Sequence, residues 1–463
     1  MDTTQIRGQA TRITLRDLKT PQMCTFHMTW AAFFLAFYGW FGIAPLMAVV
    51  RDDLELTKTQ VGNTVIASVA VTVIARLVVG WMVDRYGPRR TYTGLLLVGS
   101  LPVMGIGLAQ NYETFLLMRL AVGMIGASFV ITQYHTSLMF APNVVGTANA
   151  TTAGWGNLGG GVTQMVMPLL FTAIVTLGVS EAVGWRVAMI VPGLALMVTG
   201  VAYYLLTRDA PEGDLRELRA DGRVKQGKGD GSFWEAARDY RVWALALVYG
   251  ACFGIELTIN NVAALYYHDR FGLSVAEAGL IAGLFGLMNL FARTTGGALG
   301  DRAGIRFGLR GRVLLLAGLL FAEGLALIMF SRMDVLLLAV PAMIVFSLFV
   351  QMSEGATFSV VPFVNRRSLG SVAGIVGAGG NAGAVAAGFL FRMESLATQD
   401  AFLILGILVA ASSGLALLVR FAAATELEER ERLDAALEER GRRTPTPRVA
   451  GVSATSRGNL ADT

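Results

Sequence analysis

Two arginines stand inside long apolar runs, and each opens the same string. The first reads Arg76-Leu-Val-Val-Gly80-Trp-Met-Val-Asp84-Arg85-Tyr-Gly87, and the second Arg293-Thr-Thr-Gly-Gly297-Ala-Leu-Gly-Asp301-Arg302-Ala-Gly304. In both, the arginine precedes the aspartate by eight residues. An arginine at the centre of a bilayer costs about 2.5–3.5 kcal/mol on insertion scales. A chain that carries this cost twice, at corresponding places, has chemistry for it, and the chemistry open to a pair of buried guanidiniums is anion binding. The plainer alternative, an arginine bonded to helix carbonyls, accounts less well for the repetition. Glu256, Glu323 and Glu354 also fall inside apolar runs. Intramembrane carboxylates are rare and tend to carry or pair protons and ions.

The elements that hold these residues must be membrane helices. Mean hydropathy is +0.56, and only 15% of the 463 residues are charged, against about 25% in soluble domains. Apolar runs of roughly 20 residues, the length that crosses a bilayer as a helix, recur along the chain, without the alternation of barrel strands. The polar start lacks a cleavage pattern, so it is expected to be retained. Cys24 and Cys252 suggest neither a disulfide framework nor a metal site, and no cofactor is expected. The net charge of +5 resides mostly in loops and tails and does not point to nucleic acid. No P-loop, metal-ligand cluster or nucleophile elbow marks an enzyme.

Twelve spans are expected: 24–48, 61–83, 92–110, 114–139, 146–178, 185–206, 242–267, 276–299, 313–331, 335–359, 371–391 and 399–421. The fold class is therefore an all-α polytopic membrane protein. A tail over 1–23 precedes a six-helix bundle over 24–206, and a charged, glycine-rich linker over 207–241 leads to a second bundle over 242–422. A charged tail over 423–463 begins as a helix and ends in a disordered Thr/Pro/Arg/Gly stretch. The loops carrying Arg85, Arg89 and Arg90, Arg302, Arg306, Arg310 and Arg312, and Arg366 and Arg367 hold the excess of positive charge. They and both termini are thereby expected to face the cytoplasm.

The segment Gly80 to Arg90, with its echo at Gly297 to Gly304, resembles the loop 2–3 signature of the major facilitator superfamily, and Arg119-Leu-Ala-Val-Gly123 resembles another element of it. The fifth span contains Gly154-Trp-Gly156-Asn157-Leu-Gly159-Gly160-Gly161, and the eleventh Gly377-Ala-Gly379-Gly380-Asn381-Ala-Gly383. These paired Gly-Asn-x-Gly strings resemble the signatures of the nitrate/nitrite porter family. So do Arg51-Asp52-Asp53-Leu54, the stretch Ala141 to Ala150, and Phe253-Gly-Ile-Glu256-Leu-Thr258. The resemblance covers roughly residues 25–420. It implies two pseudo-symmetric six-helix bundles in the cell membrane, moving nitrate or nitrite by proton symport or nitrate/nitrite exchange, in a protein that works as a monomer.

Nitrate is a planar anion, and arginine offers a planar, permanently charged fork of donors. Arg76 and Arg293 would face it from the two halves near the bilayer midplane. Asn157 and Asn381 could donate amide hydrogens. The resemblance adds Tyr249 as a donor, Phe129 and Phe253 as rings stacked on either side of the anion, and Gly156 and Gly380 from the signatures. The other glycines are expected to let helix backbones approach closely. Glu256, two turns from Tyr249, is the leading candidate for a proton-coupling group. A carboxylate paired to a neighbouring arginine, or hydrogen-bonded to an asparagine such as Asn260 or Asn261, is its alternative. Asp84 and Arg85, with Asp301 and Arg302, are expected to form charge clusters that latch the cytoplasmic end shut, with Arg119 in a conformational role. His27, His135 and His268, near span ends, are expected to be satisfied or solvated. Competing readings are a carrier for another small monovalent anion, such as cyanate or formate, and a nitrate sensor that binds without turnover.

Overall fold

The computed structural model describes residues 8–140, 145–221, 232–365 and 369–431, and among them the chain is helical, with no strand. Twelve crossings follow in order: α1 (Pro21–Asp53), α2 (Lys58–Tyr86), α3 (Pro88–Leu108), α4 (Tyr112–Met139), α5 (Val145–Thr176), α6 (Glu181–Leu206), α7 (Tyr240–Phe271), α8 (275–307), α9 (309–331), α10 (Leu336–Val360), α11 (Leu369–Arg392) and α12 (Thr398–Ala416). Their starts are written locally. Thr57 and Gln60 form a capping box at α2, Asn111 and Thr114 one at α4, and Ser274 and Glu277 one at α8. Each pair satisfies backbone donors that a helix N-terminus leaves free.

The eighth and ninth crossings are joined with hardly a break in helical hydrogen bonding. They nevertheless form a hairpin. Arg312 Nη1 lies 2.7 Å from Asp301 Oδ1, eleven residues back, whereas eleven residues of straight helix span about 16 Å. Gly308 makes the reversal at φ 68° and ψ −163°, a conformation that essentially only glycine adopts.

Outer helices carry large exposed apolar side chains, such as Leu77, Leu108, Leu205 and Leu337, as a lipid-facing surface requires. By contrast α1 and α7 are enclosed on nearly every side, and α7 also touches the first half. Contacts between the halves run α5 to α8 and α2 to α11, with the end of α1 against α7. They gather from mid-depth to the end of the bundle away from the chain termini. There a Cβ on Gly161 would lie 2.7 Å from Gly286 Cα, one on Gly279 would strike the α5 backbone at Gln164, and one on Gly62 would strike Arg392. Arg51 pairs with Asp269 at 2.6 Å, Thr59 donates to the Arg392 carbonyl at 3.0 Å, and Lys58 donates to the Leu396 carbonyl. The far end is therefore shut.

The linker carries two short helices. Leu215–Ala220 docks under the first half, where Leu215 and Leu218 pack with Leu138 and Ala210. Ser232–Ala237 lies against the second half, with Glu235 accepting from Asn365 at 2.9 Å. Arg366, Arg367 and Ala141 to Val144 lie outside the described residues. The expected tail helix begins at residue 423.

Candidate functional site

Arg76, on α2, is buried at 9% exposure. Its Nη1 donates to the Gly377 carbonyl of α11 at 3.0 Å, so this arginine bridges the halves through a backbone oxygen inside the second glycine string. Its guanidinium carbon lies 5.5 Å from the Phe129 ring centre and 6.0 Å from that of Phe253. The group is thus placed against two aromatic faces from opposite halves, Phe129 on α4 and Phe253 on α7. Its Nε has no hydrogen-bond partner.

Arg293, on α8, meets the same part of α7 from the other side. Its Nη2 donates to the Tyr249 hydroxyl at 2.9 Å, and the Tyr249 ring stacks on Phe253 with centres 5.1 Å apart and planes 12° from parallel. The two arginines therefore converge on one aromatic pair a single helical turn apart. Gly380, on α11, backs that pair. A Cβ there would come 2.5 Å from the Phe253 ring and 3.1 Å from that of Tyr249. Gly156 is placed differently, with its missing side chain occupied by Phe33, whose ring centre lies 5.8 Å from that of Phe129.

Arg293 is not electrostatically idle. Its Nη1 lies 2.7 Å from Glu354 Oε2 of α10, an ion pair at contact distance whose angles fall outside those of a hydrogen bond. Arg76 has no described carboxylate partner. The two symmetry-related arginines thus differ: one holds a neutral carbonyl, the other a resident carboxylate.

Glu354 and Glu256 are both fully buried and near enough to interact electrostatically, with no hydrogen bond to either Glu354 oxygen. Glu256 accepts from Asn289 Nδ2 at 2.7 Å and from Asn157 Nδ2 at 3.5 Å, a long contact. Asn157 is thereby joined to the arginine group through Glu256 and Glu354. Asn260 and Asn261 do not hold Glu256. The Asn260 carbonyl accepts from Gln164 of α5 at 2.6 Å, and Asn261 accepts from Arg119 at 2.7 Å. Asn381 is fully buried with neither side-chain atom hydrogen-bonded. Glu323, on α9, is also fully buried.

Of the residues expected to act as a latch, Asp84 and Arg85 lie at the end of α2, and Asp301 and Arg302 near the end of α8. Asp301 pairs with Arg312 within its own half, and Arg302 is exposed. Arg85 is exposed and lies over the rings of Trp81 and Tyr86, while the Asp84 side chain lies outside the described set. Arg119 is far from all of them. It is fully buried toward the shut end, where its bond to Asn261 ties α4 to α7. Arg89 does comparable work in the first half, pairing with Asp214 of the linker at 2.9 Å and bonding the Tyr204 carbonyl at 2.8 Å. Of the histidines, His135 is satisfied by Tyr203 at 2.6 Å and the Arg208 carbonyl at 2.8 Å.

Asn289 escaped the sequence reading; it lies in the short 3-10 turn Met288–Leu290, just before the helix that carries Arg293. The Gly377 carbonyl also escaped it, since a backbone acceptor leaves no mark in a sequence.

The family model of the Major Facilitator Superfamily matches residues 29–388. A protein of Arabidopsis thaliana named high affinity nitrate transporter 2.5 is 40% identical, over 85% of this chain and 78% of its own length. A Chlamydomonas reinhardtii protein named nitrate transporter 2.1 is 39% identical over 87% of this chain and 75% of its own. The Picosynechococcus nitrate/nitrite transporter NrtP is 29% identical over 78% and 83%. The chain belongs to the nitrate/nitrite porter family of the major facilitator superfamily. Solved structures confirm the porter's fold at low identity. A bacterial homologue of the lysosomal transporter Spinster in an inward-facing conformation superposes with a TM-score of 0.68 at 17% identity, over 89% of the porter and 99% of that chain. The inward-open xylose transporter XylE of E. coli gives 0.64 at 14%, over the same shares. The porter is a multi-pass membrane transporter, not an enzyme.

Proposed function

We propose that this porter carries nitrate across the cell membrane, with nitrite as a second substrate, by rocking its two halves about an anion held between Arg76 and Arg293. The observation that carries the reading is the convergence of these buried arginines, one from each half, on the Tyr249–Phe253 stack. The names of the relatives supply the substrate. Phe129 and Phe253 form the aromatic walls, Tyr249 donates beside Arg293, and Asn157 and Asn381 supply amide hydrogens. Gly380 and Gly156 act by letting α11 and α5 close on the rings rather than by touching the anion. Low local dielectric strengthens each arginine's attraction for the anion. The termini face the cytoplasm, the shut end faces outward, and the porter works as a monomer. Asp84, Arg85, Asp301 and Arg302 close the cytoplasmic end in the opposite state. Another small monovalent anion would fit the paired arginines, and competition for binding would expose it.

Glu256 is the group through which proton symport would act, the alternative being exchange of nitrate for nitrite. Labelled nitrate uptake into proteoliposomes, loaded with buffer or with nitrite, with and without an inward proton gradient, separates the two. Gradient-driven uptake into buffer-loaded vesicles is the symport result, and Glu256→Gln should remove it while leaving exchange. Uptake that requires internal nitrite and ignores the gradient is the exchange result. Uptake in neither condition removes nitrate as the substrate.

A further inference from the structure

The difference between the two arginines bears on how an anion can enter. Arg76 keeps its full charge available, since its bonded partner is a neutral carbonyl. Arg293 is already neutralised by Glu354 at 2.7 Å. An anion arriving at Arg293 meets a carboxylate already in place. It would leave one guanidinium facing the anion, Glu354 and, beyond it, Glu256 in an interior from which water is excluded. Buried like charges at such range are strongly disfavoured, and a proton on the carboxyl pair resolves the conflict.

We infer that Glu354 is a built-in stand-in for the substrate, held by Arg293 while the site is empty and released from it when Glu354 takes up a proton as the anion binds. The inference rests on the nitrate reading and extends it to a second carboxylate and an order of events. Nitrate first meets Arg76. A proton from solution adds to a Glu354 oxygen, the ion pair to Arg293 breaks, and the freed N–H groups turn to the nitrate oxygens. One anion and one proton enter together, so the site's net charge does not change. The proton then resides on Glu354, while Glu256 keeps its bond from Asn289. The charged and titratable groups around the pair are Arg293 on α8, Tyr249 and Cys252 on α7, and Glu323 on α9. Asn289 and Asn157 face it as neutral amides. Of these only Arg293 supplies a positive charge.

The test uses the full chain in nanodiscs, with nitrate as the probe. Nitrate affinity is measured across pH 5.5–8.5, and proton uptake on nitrate addition is followed in weak buffer. In the wild type about one proton should enter per nitrate bound, and affinity should weaken with rising pH toward a slope of about tenfold per unit. Glu354→Gln should bind nitrate with a flat pH profile, as tightly at pH 8.5 as the wild type at pH 5.5, and take up no proton. Wild-type binding without proton uptake overturns the inference and leaves the nitrate reading standing. A Glu354→Gln variant that keeps the wild-type slope, or that is folded and does not bind, also overturns it. Wild-type protein that binds no nitrate at any pH removes the nitrate reading and the inference with it.

Discussion

The two arginines of the proposed anion site have unequal partners. Arg76 and Arg293 occupy matching places in the sequence, yet one is bonded to Gly377 and the other to Tyr249 and Glu354. Lysine keeps the charge at either position but loses the planar fork. Hydrogen bonds to charged groups contribute about 1.5–3 kcal/mol each, so Arg76→Lys and Arg293→Lys should each weaken nitrate binding by at least about tenfold without loss of folded protein. Equilibrium binding to the purified variants measures this, and unchanged affinity in either removes that arginine from the site. Tyr249→Phe keeps the stack on Phe253 and loses the hydroxyl. It should weaken binding by a smaller factor, about three- to tenfold. The arginines were legible because charge inside an apolar run is conspicuous and the run recurs. Tyr249, Phe129 and Phe253 were named by the family resemblance, whereas the pairing of Arg293 with Glu354 was not legible, since the two lie on different helices and periodicity gives a face without its rotation or depth.

Among the elements, the glycine-rich helices set how closely the halves approach. Gly161 and Gly286 meet backbone to backbone, so a methyl group at either forces α5 and α8 apart. Gly161→Ala should cost about 1–3 kcal/mol of the shut far end. Spin-label distances between α5 and α8 would then lengthen at that end. Gly318→Ala, where a Cβ meets nothing within 4 Å, should leave them unchanged. The glycine strings were recognisable as places of close approach, while the particular neighbours (Phe33 for Gly156, the Tyr249–Phe253 rings for Gly380) required the assembled bundle. The span edges were legible to within several residues. The eighth and ninth spans were separable by the charged stretch between them, while the turning point at Gly308 was not, because one glycine reverses the chain with hardly a break in helical bonding.

The linker helix Leu215–Ala220 makes a separate claim. Asp209 is buried at 2% exposure, fills the space over Gly87, and accepts from the Arg89 and Leu215 amides at 2.8 and 3.1 Å. Burial raises its pKa from 3.8 to about 6. A raised acid favours the fold when neutral. Its contribution is complete below the unfolded value and is lost as pH rises through about 6, each tenfold difference in proton affinity between folded and unfolded chain being worth about 1.4 kcal/mol. Hydrogen exchange in Leu215–Ala220, corrected for intrinsic rate, should therefore speed up between pH 5 and pH 7. Asp209→Asn should abolish the step, and a wild type without the step would refute the link between Asp209 and docking.

At the scale of the whole molecule, the described residues join the two halves by the Arg51–Asp269 pair and by buried bonds such as Arg76 to Gly377 and Arg119 to Asn261. The Arg51–Asp269 pair at the shut end is partly exposed, and such pairs contribute about 0–1 kcal/mol. Asp269→Asn should accordingly change transport rate less than about fivefold, and a larger loss in steady-state uptake would show that the pair is more than a rim contact. The twelve-crossing architecture was legible because lipid demands long apolar helices. The shut end was not, since one sequence must serve both states of an alternating carrier.

Where Gly161 meets Gly286 and Gly283 lies against the Gly161 carbonyl, there is no room for a methyl group and hence none for a file of water molecules. On this packing the closed end is expected to insulate. A membrane densely packed with the protein in this state should show no conductance to small ions above that of bare lipid, and every charge that crosses must do so as cargo on a turn of the carrier.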